Sequence, residues 1–369
     1  MKRTLAIIVS FFVFAFDTTA CAIDGSLSAQ AYVLYCVEND TVVLSKNAQE
    51  QMKMASTTKI MTALLALEYA QEDDRLVTFH ESMTAEGSSM YLKVGDTVHL
   101  SDLAVGMMMA SGNDAANAAA ITIGGSVKNF AKIMNSRAEK IGMTNTNFVT
   151  PSGLDDDNHY STALDMAKLM AYALNNEKFA EITGNTTMTV DFLTPRKQVA
   201  YNNHNRLLSL YEYCIGGKTG YTKASGRCLV SAARKDGLTF VAVTLNAPSD
   251  WNDHIALYNY GFEHYCALDF SEYDDSLSVD VVGSDKSSVA LYTKENCLII
   301  AEKETADRIK RTVYLPSFVY APVKKGDFVG MVVFSLDDKV LKTYDLFIGE
   351  NVDRQEQSAF ARFMALFFN

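Results

Sequence analysis

The sequence predicts an α/β (α+β) domain, an antiparallel sheet with helices packed on it, followed by a small all-β domain. Three observations carry this. Within the first 265 residues, stretches of strand character sit at the two ends and enclose a mostly helical middle. Beyond about residue 270 the texture changes to short alternating runs separated by turns. The 369 residues suffice for two or three domains, and 48% hydrophobic with 21% charged residues is an ordinary globular balance.

The elements follow in order. Lys2 and Arg3 precede the apolar run LAIIVSFFVFAF, and Ala20-Cys21-Ala22 has the small-x-small pattern of a signal peptidase site. Residues 1–22 therefore read as a cleaved secretory signal, too short in its apolar part to span a bilayer. AYVLYCV (31–37) reads as a strand, END as a turn and TVVLS as the returning strand. A helix opens at Ser56 and is apolar nearly all round, which predicts a buried helix. LSDLAVGMMMAS (100–111) is a second, SGND interrupts it, and AANAAAITI resumes a helix. Phe130, Ile133, Met134 and Ile141 carry helical spacing through 126–142, and 161–175 is a further helix with Ser161 as its cap. Residues 186–201 and 216–246 then alternate or run β-branched, RKDG (234–237) marks a turn, and 253–265 is helical again.

The second domain is expected over 270–350, from LSVDVV, SSVALYT, CLIIAE, RTVYLP, DFVGMVVFS and TYDLFIG. The tail, 354–369, places Phe360, Phe363, Met364 and Phe367 on one helical face. Two arrangements fit it: docked on the protein, or lying in the interface of a membrane surface.

Composition excludes some functions. A formal net charge of -11 with no basic run argues against a nucleic-acid partner. Cys36, Cys214, Cys228, Cys266 and Cys297 remain once Cys21 leaves with the signal; they are scattered and form no C-x-x-C pattern. Buried free thiols are expected, a Cys214–Cys228 bridge being the alternative. The histidines, His159 among them, form no H-E-x-x-H pattern, which argues against a zinc peptidase and assigns His159 a structural role. No metal or organic cofactor is implied.

Three short motifs carry the chemistry: Ser56-Thr57-Thr58-Lys59, Ser111-Gly112-Asn113 and Lys218-Thr219-Gly220. Serine and lysine three apart on a helix share a face. A desolvated lysine can lose its proton and serve as base to that serine, and a second cation, Lys218, lowers its pKa further. Ser56 at a helix N-terminus meets positive dipole potential that favours a developing alkoxide. The hydroxyl of Ser111 can relay a proton to a leaving amine, and Asn113 can bond a substrate backbone. Lys218 and Thr219 can receive a carboxylate, and Gly220 lets a backbone approach closely.

The ordered set is the pattern of penicillin-binding proteins and class A β-lactamases. Longer strings, GSSMYLKVGDTVHLSDLAVGMMMASGNDAANAAA, GMTNTNFVTPSGLDDDNHYSTALDMA, NNHNRLL and GGKTGYTKASGRCLVSAARKDG, closely resemble the serine-type D-Ala-D-Ala carboxypeptidases, the low-molecular-weight penicillin-binding proteins. The resemblance covers about residues 28–350, with 28–268 as the peptidase domain. CIGGKTG departs from the family's V-D-G-x-K-T-G at Gly216. It implies a transpeptidase-like catalytic domain and a trailing β-domain. It also implies an oxyanion hole on the backbone N–H groups of Ser56 and Tyr221, a carboxylate-site arginine at Arg206, and a membrane anchor in the tail. The implied reaction removes the terminal D-Ala from peptidoglycan stem peptides outside the cytoplasmic membrane, with Ser56 open to acylation by β-lactam antibiotics.

Three rivals remain. A class A β-lactamase adds a glutamate in an E-x-x-L-N context between the second and third motifs; none of Glu139, Glu177, Glu181 and Glu212 has it. A DD-endopeptidase would use the same residues. A catalytically silent wall-binding protein is opposed by the intact motifs.

Overall fold

The computed structural model of the chain describes residues 27–270 and 277–355. The expected signal sequence and nearly all of the amphipathic tail lie outside the described residues.

β1 (Ala31–Cys36) and β2 (Thr41–Lys46) form the first hairpin. The turn Ala55–Thr58 leads directly into α1 (Lys59–Glu72). A two-stranded ladder that period counting overlooked, β3 (Leu76–Thr78) with β4 (Thr97–His99), precedes α2 (Leu100–Met109). Then come α3 (Asn113–Gly124), α4 (Val127–Ile141), α5 (Ala163–Ala173) and α6 (Glu177–Gly184). The cap of α5 is Thr162 rather than Ser161, because the Thr162 hydroxyl accepts the Asp165 amide. Ser161 instead exchanges backbone hydrogen bonds with Met52.

β5 (Thr187–Leu193) and β6 (Arg196–Asn202) pair only with each other, outside the main sheet. A single turn, α7 (Leu207–Leu210), leads to β7 (Cys214–Thr222), β8 (Gly226–Lys235) and β9 (Leu238–Leu245). These close an antiparallel sheet in the order β2-β1-β9-β8-β7. The first hairpin joins the last strands, so both ends of this segment of chain meet in one sheet. α8 (Asp250–His264) covers one face and starts three residues before the predicted segment. The helices of the middle segment cover the other. β9 is buried along its whole length, as a strand covered on both faces must be.

α1 is buried from Lys59 through Leu67 without a polar face. α2 is likewise apolar, and the alanines of α3 let it approach closely. α4 is the amphipathic helix of the set, capped by Ser126 and stopped by Gly142 in the left-handed region.

β10 (Tyr265–Asp269) follows α8 without a break and pairs with β13 (Leu298–Glu302). β11 (Ser278–Val282), β12 (Ser288–Tyr292), β14 (Lys310–Tyr314), β15 (Phe318–Tyr320), β16 (Phe328–Leu336) and β17 (Lys339–Ile348) form a six-stranded sheet, in the order β14-β16-β17-β12-β11-β15. β15 pairs parallel to β11 at the edge. All five cysteines of the described residues are free thiols.

Candidate active site

The site lies where the start of α1, the α2–α3 break and β7 converge. Ala55 has φ +47°, in the left-handed region an alanine rarely adopts. This bend sets Ser56 in the turn ahead of α1, half-buried, while Lys59 behind it is fully buried. Lys59 Nζ is 2.9 Å from Ser56 Oγ and 2.7 Å from the carbonyl oxygen of Ser152. That carbonyl can only accept a hydrogen bond. One lysine N–H is thereby committed to Ser152, and a neutral amine keeps its lone pair for the Ser56 hydroxyl.

Ser111 also has φ +57°, at the break between α2 and α3. The break turns its hydroxyl toward β7, where Lys218 Nζ donates to it at 3.1 Å and to the Thr219 carbonyl at 2.8 Å. Lys218 is buried too. Two lysines sharing one dry pocket cannot both hold a proton cheaply. Burial drives Lys59 well below its ordinary pKa, the Lys218 charge lowers it further, and Asp114 acts in the opposite sense. Burial pushes Lys218 down to about 7.

Asn113 is buried at the start of α3. Its Nδ2 donates to the Glu86 carbonyl at 2.7 Å, while its Oδ1 has no partner. A buried acceptor left open costs free energy unless something arrives to fill it. The neighbouring Asp114 carboxylate accepts from the Met90, Leu92 and Ala115 amides and from Ser89 Oγ, which pins the 86–92 loop beside the cleft.

Thr219 is half-buried on β7, Gly220 is buried, and Tyr221 is exposed. At Gly220 a Cβ would lie 3.0 Å from the Ser56 amide nitrogen and 2.9 Å from the Met54 carbonyl. Only glycine lets β7 run this close to the nucleophile turn. The strand thus brings the Tyr221 backbone within one residue of that contact.

The geometry unites Ser56, Lys59, Ser111, Asn113, Lys218, Thr219 and Gly220. Arg206 is different: it is exposed at the head of α7 and makes no ion pair among the described residues. The residue of that loop whose charge couples to Lys218 is His204, its pKa lowered by burial and by that lysine. The resemblance implied Arg206 from the NNHNRLL string, and nothing in that string pointed to His204.

Sequence reasoning also missed the 149–153 loop. Its contribution is the Ser152 carbonyl, and a backbone atom has no residue signature. Gly153, at φ +82°, is the trace it left: a Cβ there would come within 1.9 Å of the Ala55 carbonyl oxygen.

Comparison with known proteins gives the chain's relatives. Residues 17–249 match the family model described as D-alanyl-D-alanine carboxypeptidase, and 270–354 match the penicillin-binding protein 5 C-terminal domain. The chain is similar to the D-alanyl-D-alanine carboxypeptidase DacF of Bacillus subtilis, 31% identical over 92% of each chain. It is similar to DacC of Escherichia coli, at 32% identity over 93% of this chain and 90% of that one. Among solved structures, penicillin-binding protein 5 of Haemophilus influenzae superposes with a TM-score of 0.73 at 29% identity, covering 89% of this chain and 99% of that one.

Proposed function

Because the chain belongs to the D-alanyl-D-alanine carboxypeptidase family, we propose that it removes the terminal D-alanine of peptidoglycan pentapeptide stems through an acyl-enzyme on Ser56. The observation that carries this reading is the buried Lys59 amine, 2.9 Å from Ser56 Oγ and held away from protonation by burial and by Lys218.

The steps follow from the chemistry of these groups. The substrate's C-terminal carboxylate meets Lys218 and Thr219, and its backbone amide fills the open Oδ1 of Asn113. Lys59 takes the Ser56 proton as Oγ attacks the carbonyl carbon of the penultimate D-Ala. The oxyanion that forms is held by the backbone N–H groups of Ser56 and Tyr221, more strongly than the ground-state carbonyl was. The C–N bond then breaks, and the proton returns from Lys59 through the Ser111 hydroxyl to the departing amine of D-alanine. Water hydrolyses the ester and frees Ser56. A β-lactam carries a strained amide and a carboxylate in the same relation, so it acylates the same oxygen. Arg206 keeps only a peripheral place in this scheme.

Residues 28–268 are assigned the peptidase chemistry and 270–350 no catalytic part in it. Secretion through the signal 1–22 brings the enzyme to its substrate outside the cytoplasm, and the tail 354–369 supplies its hold on the membrane surface. Among the described residues no helix is long and apolar enough to cross a membrane. Deleting residues 355–369 is expected to release the protein from membranes with activity intact; unchanged association overturns the anchor.

The test of the reaction is D-alanine release from an acyl-Lys-D-Ala-D-Ala peptide, with Ser56→Ala alongside. Release that vanishes in the variant supports the reading. No release from a folded protein that penicillin still acylates redirects it to cross-linked substrate and an endopeptidase. Neither release nor acylation overturns it in favour of a silent wall-binding protein.

A further inference from the structure

His159 is buried behind the Ser56 turn, far in sequence from the three motifs. Its ring is held on both sides. Nδ1 accepts from the Val149 amide at 2.9 Å and from the Thr150 amide at 3.2 Å. Backbone amides only donate, so Nδ1 carries no proton and the ring's single N–H is on Nε2. Nε2 lies 2.9 Å from Thr58 Oγ1 and therefore donates to it. Thr58 stands between Ser56 and Lys59 in the chain. The amides on the other side open the loop whose Ser152 carbonyl holds Lys59.

One imidazole thus joins the two halves of the lysine's environment. The loop has further ties: Thr62 Oγ1 donates to the Pro151 carbonyl at 2.6 Å, and the Gly153 amide to Thr150 Oγ1 at 3.1 Å. Among the hydrogen bonds of the described residues, it is the histidine's that link the loop to the residue between nucleophile and base.

We propose that His159 is a positioning residue for acylation: it fixes the Thr58 hydroxyl to the 149–153 loop and so sets the Lys59 amine against Ser56. The proposal rests on the serine carboxypeptidase reading above. Burial keeps the ring neutral, its pKa lowered to about 4, so the donor–acceptor pattern holds through the working pH range. A displacement of the Ser152 carbonyl by a fraction of an ångström swings the lysine lone pair off the Ser56 hydroxyl. Groups that meet the substrate, Asn113, Lys218 and Thr219, are left where they were. The effect therefore falls on the acylation step and not on the encounter with ligand.

The experiment measures penicillin acylation of the full chain, separating the bound-state acylation rate constant from the prior binding constant. Rates are expressed per site titratable by penicillin. The variants are His159→Asn, which keeps an acceptor near Nδ1, His159→Gln, which keeps a donor near Nε2, and Thr58→Val. Each is expected to slow acylation per titrated site about tenfold or more, with the binding constant moving less than about threefold. Combining Thr58→Val with His159→Asn, which removes the same bond twice, is expected to cost no more than the worse single variant. A role confined to stability lowers the fraction of titratable sites and leaves the rate per site unchanged; that result overturns the proposal. Thr58→Val leaves the histidine and its loop bonds in place, so it decides the matter even where the histidine variants do not fold. Wild-type protein that is not acylated at Ser56 overturns the carboxypeptidase reading itself, and this proposal with it.

Discussion

The central sheet has a buried polar cluster on each face, and the two are built to opposite rules. Under α8, Ser231 Oγ lies 2.7 Å from both His254 Nδ1 and Tyr258 OH, while Thr244 Oγ1 lies 3.0 Å from His254 Nε2. Both ring nitrogens are used, and burial drives the His254 pKa down to about 3. On the other face, two buried lysines share a pocket, Asn113 Oδ1 waits without a partner, and Ala55 and Ser111 hold left-handed backbone. Polar groups satisfied by one another stabilise and do nothing else. Groups left unsatisfied, or kept from their preferred charge state, are held ready for a reactant, and the rest of the fold bears the cost.

The contrast breaks most sharply at Lys59. Lys59→Met is expected to reduce Ser56 acylation roughly 10²–10⁴-fold, as loss of a general base does. The same change removes a desolvated amine, so the melting temperature is expected to rise by about 2–6 °C. A calorimetric scan beside an acylation assay checks both; a melting temperature that falls would show that the lysine stabilises the fold. His254→Leu is the mirror case. It strands the Thr244 hydroxyl and leaves Ser231 with Tyr258 alone, and is expected to cost about 2–4 kcal/mol in denaturant unfolding, with the acylation rate per titrated site unchanged.

Gly153→Ala tests strain on the cleft side. The added methyl meets the Ala55 carbonyl at 1.9 Å in a backbone conformation alanine resists, so about 1–3 kcal/mol of stability is expected to be lost. Unlike His254→Leu, it should also slow acylation, because what must move carries Ser56.

The remaining effects are in pH. The folded pKa of His254 lies below its unfolded value, so its share of stability is full above about 6.5 and is lost as pH falls toward about 3. Melting temperatures between pH 6.5 and 4 should fall less steeply in His254→Gln than in the parent. Cleft titration appears in kcat/KM instead. Lys59 must be neutral, so activity declines as pH falls through its lowered pKa. Lys218 must be charged to meet a carboxylate, so kcat/KM declines as pH rises above about 7. In Lys218→Arg the alkaline decline should disappear; its persistence would assign it to another group.

The sequence made one of these faces far more legible than the other. Ser56 and Lys59 were readable because helical period alone puts them on one face, and the apolar residues behind them announce burial. Ser111 and Lys218 needed the ordered motif set, since a S-G-N turn or a lysine beginning a strand is ordinary. The His254 network was silent: serine, threonine, histidine and tyrosine at those spacings suggest nothing until two strands and a helix are superposed. The left-handed Ala55 was equally hidden, because such turns are sought at glycine and asparagine. The β5–β6 hairpin shows the remaining gap. Alternation marked 186–201 as strand without showing the turn that splits it in two, and no local signal says which sheet a strand joins. The resemblance named Arg206, while His204, coupled to Lys218, had no signal in the string.

The junction at His264 and Tyr265 has a mechanical consequence. Helix passes into strand with no intervening residue, the strand is stitched along five residues to β13, and Lys303 Nζ reaches back to the Phe262 carbonyl at 2.9 Å. Leu268 and Phe270 are packed into the second core. At the other end of the described residues, the Gln355 amide is tied to the Gly283 carbonyl. Among the described residues of the junction, helix, strand and the Lys303 tie leave no unbonded step. A pull or a push on the β10–β13 ladder is therefore handed straight to α8 and to the sheet that α8 covers.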